Sequence, residues 1–412
     1  MDLKISSFKV DITPNLPCNV AGYGSLDRNI EKVFSRLEAN GLVWENCEKP
    51  LALIQLDTLY VTSELRKIIE ERTGVQAVLI ASHTHGAPFL DRNKTKLGIY
   101  DQEYFEIVAD KLVEAIKERS TTQKSEIYCG ESQANVAVFR RKKAFGLFAR
   151  NPFLAYKVAL LPNPDISIDQ RVTCFFVRDA GGVVTAIFWR FTCHPVTTPG
   201  REQISSDYPG AIRTYFRKKL NNENLPVVFL PGPAGDVRPA FTNESGKTEL
   251  IRRLRFPFQS TFFSYPTKSQ YEYFNKSLSD AILDAFDSAK ITVSSTPKWS
   301  RVSLALKSLS RLSGEDIKYP LGVLSGVGDS IFLFVGAEVS SQYQEIISNR
   351  WGRKVFICSY FEDVFGYLPT EDQVDEGGYE GKDFIPLFDL RGDFALGFQN
   401  ELLKAIKGLI SC

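Results

Sequence analysis

The chain alternates short apolar runs with amphipathic segments, and this alternation limits the folds that it can adopt. Apolar runs of roughly 4–8 residues are typical of buried β-strands, and apolar residues at every third or fourth position indicate helices. The predicted strands are 51–56, 75–81, 172–177, 183–191, 226–230, 331–335 and 354–358. The predicted helices are 62–72, 103–117, 211–220, 270–289, 339–349 and 395–409. We therefore expect a mixed α/β fold.

Charge and apolar length exclude two broad classes of protein. The formal net charge is only +1, whereas nucleic-acid-binding domains are usually clearly basic. No apolar run approaches the roughly 18–20 residues that cross a bilayer, and the first residues do not resemble a signal peptide. The seven cysteines include no CxxC pair, so we expect buried thiols. We expect a cytoplasmic protein whose partner is a small molecule.

Two segments, 138–160 and 251–266, mix arginine and lysine with phenylalanine and tyrosine and show no helical or strand period. Such segments could form a lid, an apolar substrate pocket with a basic rim, or a membrane-surface patch. They could equally be irregular loops whose rings pack onto the body of the protein. The sequence leaves these alternatives open.

The chain has only three histidines, His83, His85 and His194, and all of them follow predicted strands. His83 and His85 lie in ASHTHGAP, and His194 lies in FTCHPVTTPG. In an extended His-x-His both side chains point to the same side, and neutral imidazole is a common zinc ligand. Because buried structural histidines are also common, a metal site needs support from further ligands.

Polar residues follow three more predicted strands. Asp236 lies in GPAGDVRPAF, Glu338 in GAEVSSQ and Tyr367 in FEDVFGYLPT. Glu338 opens a predicted helix and could serve only as a helix cap. Five strand-end turns that each offer a ligand or an acid–base group nevertheless indicate one convergent site.

Together these segments resemble the neutral/alkaline (non-lysosomal) ceramidase family, specifically its zinc-hydrolase domain. Five segments of this chain resemble family motifs, and the family's version of each is given in parentheses. They are SHTHGAP (THTHSGP), CHPVTTPGREQISSDYPG (a His-Pro turn, then S-x-D-x-x-G), AGDVRP (AGDVSP), GAEVSSQ (PGE followed by a helix) and YLPTEDQVDEGGYEG (Y-x-T-T, ending in YEG). KVDITP followed by GYGS resembles the family's opening DITP…GY. The matches keep the family's order from about residue 8 to residue 381.

The resemblance implies central β-sheets flanked by helices in a single zinc-hydrolase domain over residues 1–412. It also implies a role for each matching residue. The implied zinc ligands are His83, His194, Glu338 and Tyr367, and the implied catalytic residues are His85, Asp236 and Arg140. His85 corresponds to a histidine that contacts substrate or the developing oxyanion. The candidates for substrate binding are Arg141, which matches the family's arginine as closely as Arg140 does, together with Asp207, Tyr379 and Gly232. Asp236 or Asp207 could also orient a ligand histidine through its second nitrogen.

The sequence departs from the family at Gly232, where the family has a serine that acts as nucleophile or positions substrate. The immunoglobulin-like C-terminal domain of the larger ceramidases is not expected either. These departures argue against ceramide as the substrate. They argue less strongly against zinc-dependent hydrolysis as the reaction.

The expected function is zinc-dependent cleavage of an amide in a small N-acyl or N-acetyl compound, such as a sugar or a lipid-like amide. A zinc ion with an exchangeable position lowers the pKa of bound water to about 7, which supplies hydroxide without a serine. The alternatives are an esterase or lactonase on the same zinc, and an inactive zinc-stabilised binding protein. Iron, manganese or cobalt would also suit nitrogen and oxygen ligands. The basic runs 140–143 and 252–255 would suit an anionic substrate group, whereas the Phe-rich segments would suit an acyl chain.

Overall fold

The computed structural model describes residues 3–23, 29–120, 123–148, 151–242, 247–292 and 295–411. Gly24 and Ser25 of the GYGS motif, residues 149 and 150 of the segment 138–160, and Cys412 lie outside these ranges. The strands are β1 (Lys4–Asp11), β2 (Glu38–Trp44), β3 (Leu51–Leu56), β4 (Gln76–Ala81), β5 (Gln123–Gln133), β6 (Ala137–Phe148), β7 (Asn151–Asn163), β8 (Arg171–Asp179), β9 (Val184–Phe191), β10 (Val227–Pro231), β11 (Val237–Pro239), β12 (Lys290–Ile291), β13 (Lys298–Arg311), β14 (Asp316–Val327), β15 (Ser330–Val335), β16 (Glu338–Val339), β17 (Val355–Cys358), β18 (Tyr367–Leu368) and β19 (Leu390–Gly392). The helices are α1 (Ser63–Thr73), α2 (Gln102–Lys117), α3 (Asp207–Lys219), α4 (Lys247–Arg255), α5 (Lys268–Asp287), α6 (Gln342–Trp351), α7 (Glu371–Glu376) and α8 (Phe398–Ile410). A π-helical turn (Tyr379–Asp383) and a 3-10 turn (Ile385–Phe388) lie between α7 and β19.

Two mixed sheets form the centre of the molecule. The larger has the order β10-β9-β8-β5-β1-β2-β3-β4, and the smaller has the order β17-β15-β14-β13-β19. Their facing surfaces share one hydrophobic cluster, in which Phe175, Phe188 and Val228 of the larger sheet join Phe332 and Phe334 of the smaller. This packing of sheet on sheet removes the apolar face of each from water.

Helices cover the outer faces of both sheets. Helices α1 and α2 pack on one half of the larger sheet, and α3 and α5 pack on the other half. Helices α6 and α8 lie against the smaller sheet. The result is a mixed α/β fold of four layers, which confirms the predicted fold class, including central sheets flanked by helices.

All seven predicted strands and all six predicted helices are present, with ends that differ by a few residues. The predicted start of the helix at residue 339 is wrong. Glu338 and Val339 form the short strand β16, and helix α6 begins only at Gln342 with Ser341 as its N-cap. Glu338 is therefore not a helix cap.

The segment 138–160 is not an irregular loop, because most of it belongs to the antiparallel hairpin β6–β7. Buried and exposed positions alternate along β6 beyond Lys142, yet the exposed positions include Phe145 and Leu147. Because apolar residues lie on both faces of the strand, the sequence lacks the alternation of apolar and polar residues that predicts a strand. The segment 251–266 likewise begins within helix α4.

No helix in the described ranges is long and apolar enough to span a membrane. The cytoplasmic location stays a prediction.

Candidate metal centre and active-site cavity

The candidate site lies where several strands of the two central sheets end. Tyr60 follows β3, His83 follows its parallel neighbour β4, and His194 follows β9. Because the carboxyl ends of parallel neighbours meet at one edge of a sheet, the turns after β3 and β4 lie close together. His83 has a left-handed backbone with φ of 65°, and its ring stacks on Tyr360, with 3.9 Å between the ring centroids.

The other two predicted ligands, Glu338 and Tyr367, are register partners in the two-stranded parallel sheet β16–β18. The Tyr367 hydroxyl lies near the Glu338 carboxylate and favours its ionised form. The Tyr60 hydroxyl donates to Oε1 of Glu338, and the two oxygens are 2.6 Å apart. Tyr60 was not predicted as a site residue, because nothing in its apolar surroundings in the sequence indicates this contact.

His83, His194 and Glu338 converge on one point. His83 Nε2 and His194 Nε2 are 3.1 Å apart, and each is 3.5 Å from Glu338 Oε2. All three side chains are buried, and Glu338 Oε2 has no hydrogen-bond partner among the described residues.

The protonation of the two imidazoles follows from their partners. His83 Nδ1 lies 3.1 Å from the Leu59 carbonyl oxygen, and His194 Nδ1 lies 2.8 Å from that of Ala234. A carbonyl oxygen only accepts, so each Nδ1 carries the hydrogen and each neutral Nε2 carries a lone pair. The expectation that Asp236 or Asp207 orients these rings is wrong, because backbone carbonyls do so.

Electrostatics keep the histidines neutral. Burial lowers the pKa values of His83 and His194 well below their usual range, and burial with the nearby arginines lowers the pKa of His85 to about 3. Burial raises the pKa of Glu338 to about 7. A cation held between these groups would reverse the shift of the carboxyl group, since it favours the ionised form.

His85 lies next to this cluster but faces the cavity. Its Nδ1 lies 3.0 Å from the Gly22 carbonyl oxygen, and its Nε2 lacks a hydrogen-bond partner within the described ranges. The ligand nitrogens of His83, His85 and His194 all lie within 4.8 Å of one another, so this buried group could hold a metal ion.

The two candidate arginines have different surroundings, although Glu380 pairs with both. Arg140 Nε lies 2.6 Å from Glu380 Oε1, its Nη2 donates to the Tyr367 hydroxyl at 3.2 Å, and it lines the cavity. Arg141 Nη1 contacts Glu380 Oε2 at 3.0 Å, and its Nη2 donates to the carbonyls of Gln373 and Gly377. Arg141 is not among the lining residues, so the structure brings Arg140 and not Arg141 to the site.

The two predicted aspartates do not line the cavity. Asp236 accepts hydrogen bonds from the Ser340 hydroxyl, the Ser341 amide and the Gln373 side chain. It therefore joins the turn after β10 to the start of α6, next to β16.

Asp207 supports the turn that follows His194. It accepts from the amides and hydroxyls of Thr197 and Thr198. Both aspartates are thus placed to support the turns that carry ligands, at a distance from substrate.

Gly232 is also outside the lining, and its surroundings leave no room for a side chain. A Cβ at this position would lie 2.1 Å from Thr192 Oγ1 and 3.1 Å from Thr192 Cβ. The Thr192 hydroxyl, which has no hydrogen-bond partner among the residues described, thus occupies the space beside the missing serine.

We expect Gly232→Ser to lower the free energy of unfolding by about 1–3 kcal/mol, because overpacked interiors cost this much. Adding Thr192→Ala should recover part of the loss, whereas Thr192→Ala alone should be nearly neutral. Urea unfolding of the three variants measures this coupling. Equal losses in Gly232→Ser with and without the second change would show that Thr192 is not the obstacle.

The cavity beside the candidate metal centre has a volume of about 230 Å³. Its lining comprises Gly22, Tyr23, Leu59, Tyr60, His83, His85, Leu97, Arg140, Leu160, His194, Val196, Arg201, Arg238, Glu338, Tyr367, Tyr379 and Phe388. The four predicted ligands, His85, Arg140 and Tyr379 are all present. Sequence reasoning missed Tyr60, Arg201 and Arg238, of which Arg201 and Arg238 lie inside quoted motifs, CHPVTTPGREQISSDYPG and AGDVRP.

Comparison with known proteins shows the fold. No protein-family model matches the chain, and no curated protein matches it. The neutral ceramidase from Pseudomonas aeruginosa is similar, with a TM-score of 0.70, 15% sequence identity, and coverage of 95% of this chain and 72% of that chain. A ceramidase complexed with C2 gives a TM-score of 0.68 and 14% identity over 97% of this chain and 76% of that chain. The chain therefore has the mixed α/β fold of the neutral ceramidases.

Proposed function

We propose that this chain is a zinc-dependent amidohydrolase that cleaves the amide of an N-acylated small molecule. The convergence of Glu338 Oε2 with His83 Nε2 and His194 Nε2 carries the proposal. Three buried lone-pair atoms within 3.5 Å repel one another unless a cation lies between them.

We propose His83, His194, Glu338 and Tyr367 as the ligands. Two imidazoles and a carboxylate are a common catalytic zinc set, and their Nδ1 partners fix the orientation of both rings. The Tyr367 hydroxyl lies near the Glu338 carboxylate and lines the same cavity. Bound zinc would supply Lewis acidity and a water of lowered pKa.

The remaining groups suit the proton transfers that amide cleavage needs. Because His85 Nδ1 donates to Gly22, its Nε2 faces the cavity as a proton acceptor. It can accept the proton of the attacking water and pass it to the leaving amine. This role replaces the expectation that neutral His85 donates a hydrogen bond to the oxyanion, because its Nε2 has no hydrogen to donate. Arg140, a permanent cation in the lining, is the better donor to that oxyanion.

The candidate site and cavity draw on residues from Gly22 to Phe388, so we propose one hydrolase domain over residues 1–412. Release of free amine from N-acetyl and N-octanoyl amides, followed with a matched ester series, tests the reaction. We expect amide cleavage that a chelator stops and zinc restores. Cleavage of esters alone would favour the esterase alternative, and zinc-reconstituted protein that cleaves neither would contradict a hydrolase.

A further inference from the structure

We propose that Tyr60 is a positioning residue, whose hydroxyl fixes the Glu338 carboxylate so that only Oε2 is left to bind a cation. Tyr60 belongs neither to the proposed ligands nor to the proposed proton-transfer groups, and it lies outside the quoted motifs. The inference rests on the proposed function for the presence of a metal ion. It adds the residue that decides how the carboxylate meets that ion.

The two carboxylate oxygens of Glu338 have different surroundings. Oε1 accepts a hydrogen bond from the Tyr60 hydroxyl at 2.6 Å. Oε2 has no hydrogen-bond partner in the described ranges, and it lies 3.5 Å from Nε2 of both His83 and His194. A carboxylate can bind a metal ion through one oxygen or through both. Because Oε1 is already engaged, the carboxylate presents one oxygen to the point on which the two imidazoles converge.

The hydrogen bond between Tyr60 and Glu338 also joins the two central sheets at the site. Tyr60 follows β3 of the larger sheet, whereas Glu338 lies in β16, just after β15 of the smaller sheet. The histidines follow strands β4 and β9 of the larger sheet. The bond therefore ties a ligand next to the smaller sheet to the sheet that carries the imidazoles, and it resists a change in the distances between them.

The ring of Tyr60 is itself held on several sides. Its centroid lies 5.4 Å from that of His83 and 6.3 Å from that of Phe89. The ammonium of Lys94 lies 5.3 Å from the same centroid, and Lys94 forms a buried ion pair with Asp91. A cation near an aromatic face is attracted to it and restricts the plane of the ring. A hydroxyl on a ring held in this way has little freedom to turn from its acceptor.

Groups that hold a metal ligand through a hydrogen bond contribute to metal affinity. Loss of such a group typically lowers the affinity about 10–100-fold. Without the Tyr60 hydroxyl, Glu338 loses the donor to Oε1, so its carboxylate becomes free to turn or to offer both oxygens. We therefore expect weaker zinc binding and a changed coordination geometry.

The variant Tyr60→Phe tests this role, because it removes the hydroxyl and keeps the ring. Competition with a chromophoric chelator should show that zinc is bound about 10–100-fold more weakly than in the unchanged protein. Cobalt(II) substituted for zinc should give a changed visible absorption spectrum, since that absorption depends on the number and arrangement of the ligands. Neither measurement requires turnover.

Tyr104→Phe is the matched control. Tyr104 is also buried, and its hydroxyl donates to the Ile12 carbonyl oxygen at the same distance of 2.6 Å, but it does not line the cavity. Loss of one buried hydrogen bond should lower the thermal midpoint in both variants. Only Tyr60→Phe should change zinc affinity and the cobalt spectrum. If Tyr60→Phe matches the control in both measurements, the proposal is overturned.

A double-mutant cycle shows whether Tyr60 acts through Glu338. If it does, Tyr60→Phe should weaken zinc binding strongly in the unchanged chain but little in Glu338→Ala, because the acceptor is then already absent. A tyrosine that bound the metal directly would instead weaken binding by the same factor in both backgrounds, which would overturn the positioning role.

A structure of the zinc-loaded unchanged protein tests the inference even if Tyr60→Phe does not fold. We expect zinc on Oε2 of Glu338 alone, with the hydrogen bond from Tyr60 to Oε1 retained. Zinc held by both carboxylate oxygens, or a broken Tyr60 bond, would overturn the proposal.

The outcomes separate this inference from the proposed function. If zinc affinity depends on the Tyr60 hydroxyl but no amide is cleaved, the hydrolase proposal fails and the positioning role stands. If cleavage is zinc-dependent and Tyr60→Phe binds zinc as tightly as Tyr104→Phe does, the positioning role fails and the hydrolase proposal stands. An unchanged chain that binds no transition metal would overturn both.

Discussion

Replacing His194 with alanine should strip the zinc from the protein and reduce amide cleavage to background. Loss of residues that only support metal ligands already lowers metal affinity about 10–100-fold, so loss of a direct ligand should cost more. Elemental mass spectrometry of protein purified without added metal should give about one zinc per chain before the change and nearly none after it. His194 is a cleaner target than His83, whose ring also stacks on Tyr360.

Two further variants decide which residues hold the metal. If the ligands are His83, His194, Glu338 and Tyr367, Glu338→Gln should lower zinc content and His85→Ala should not. If the three histidines form the site, the two results should be reversed. Arg178→Gln is a control, because Arg178 stacks on Tyr128 and Phe286 and does not line the cavity, and it should keep its zinc in either case. Zinc retained in full by His194→Ala would contradict both arrangements.

The sequence predicted much of the site because strand ends carry strong local signals. The histidine turns and the turns containing Glu338 and Tyr367 each follow an apolar run, and parallel strands bring such turns together. The resemblance to the ceramidase family then assigned them roles. Hydropathy locates these strands along the chain, but it does not give their order and direction in the sheets, on which the convergence of the turns depends.

Contacts made across the site could not be predicted in this way. Tyr60 contacts Glu338 from 278 residues away, and its sequence neighbours are apolar core residues. The stacking of Tyr360 on His83 likewise depends on two left-handed turns that are adjacent only in the fold. Asp236 and Asp207 matched family motifs. The sequence does not show that their carboxylates already accept hydrogen bonds from nearby amides and hydroxyls.

Replacing His85 with alanine should leave zinc bound but reduce amide turnover by about 10²–10⁴-fold, the usual contribution of a positioned acid–base group. The Nδ1 hydrogen bond to Gly22 leaves Nε2 as a proton acceptor in the cavity, so the variant cannot deliver a proton to the leaving amine. Zinc content and the thermal midpoint should both be retained, which separates this loss from unfolding. Added imidazole should restore part of the activity, because the variant opens space next to Tyr23.

The dependence on the leaving group distinguishes proton delivery from oxyanion stabilisation by His85. A nitrophenyl ester expels a weakly basic anion that needs no proton, whereas an amine must be protonated as it leaves. If His85 delivers that proton, His85→Ala should impair the amide much more than an ester with the same acyl group. An oxyanion donor would instead be needed for both substrates, because both pass through a tetrahedral intermediate. Equal losses on the two substrates would therefore contradict the tautomer that Gly22 imposes and assign His85 to the oxyanion.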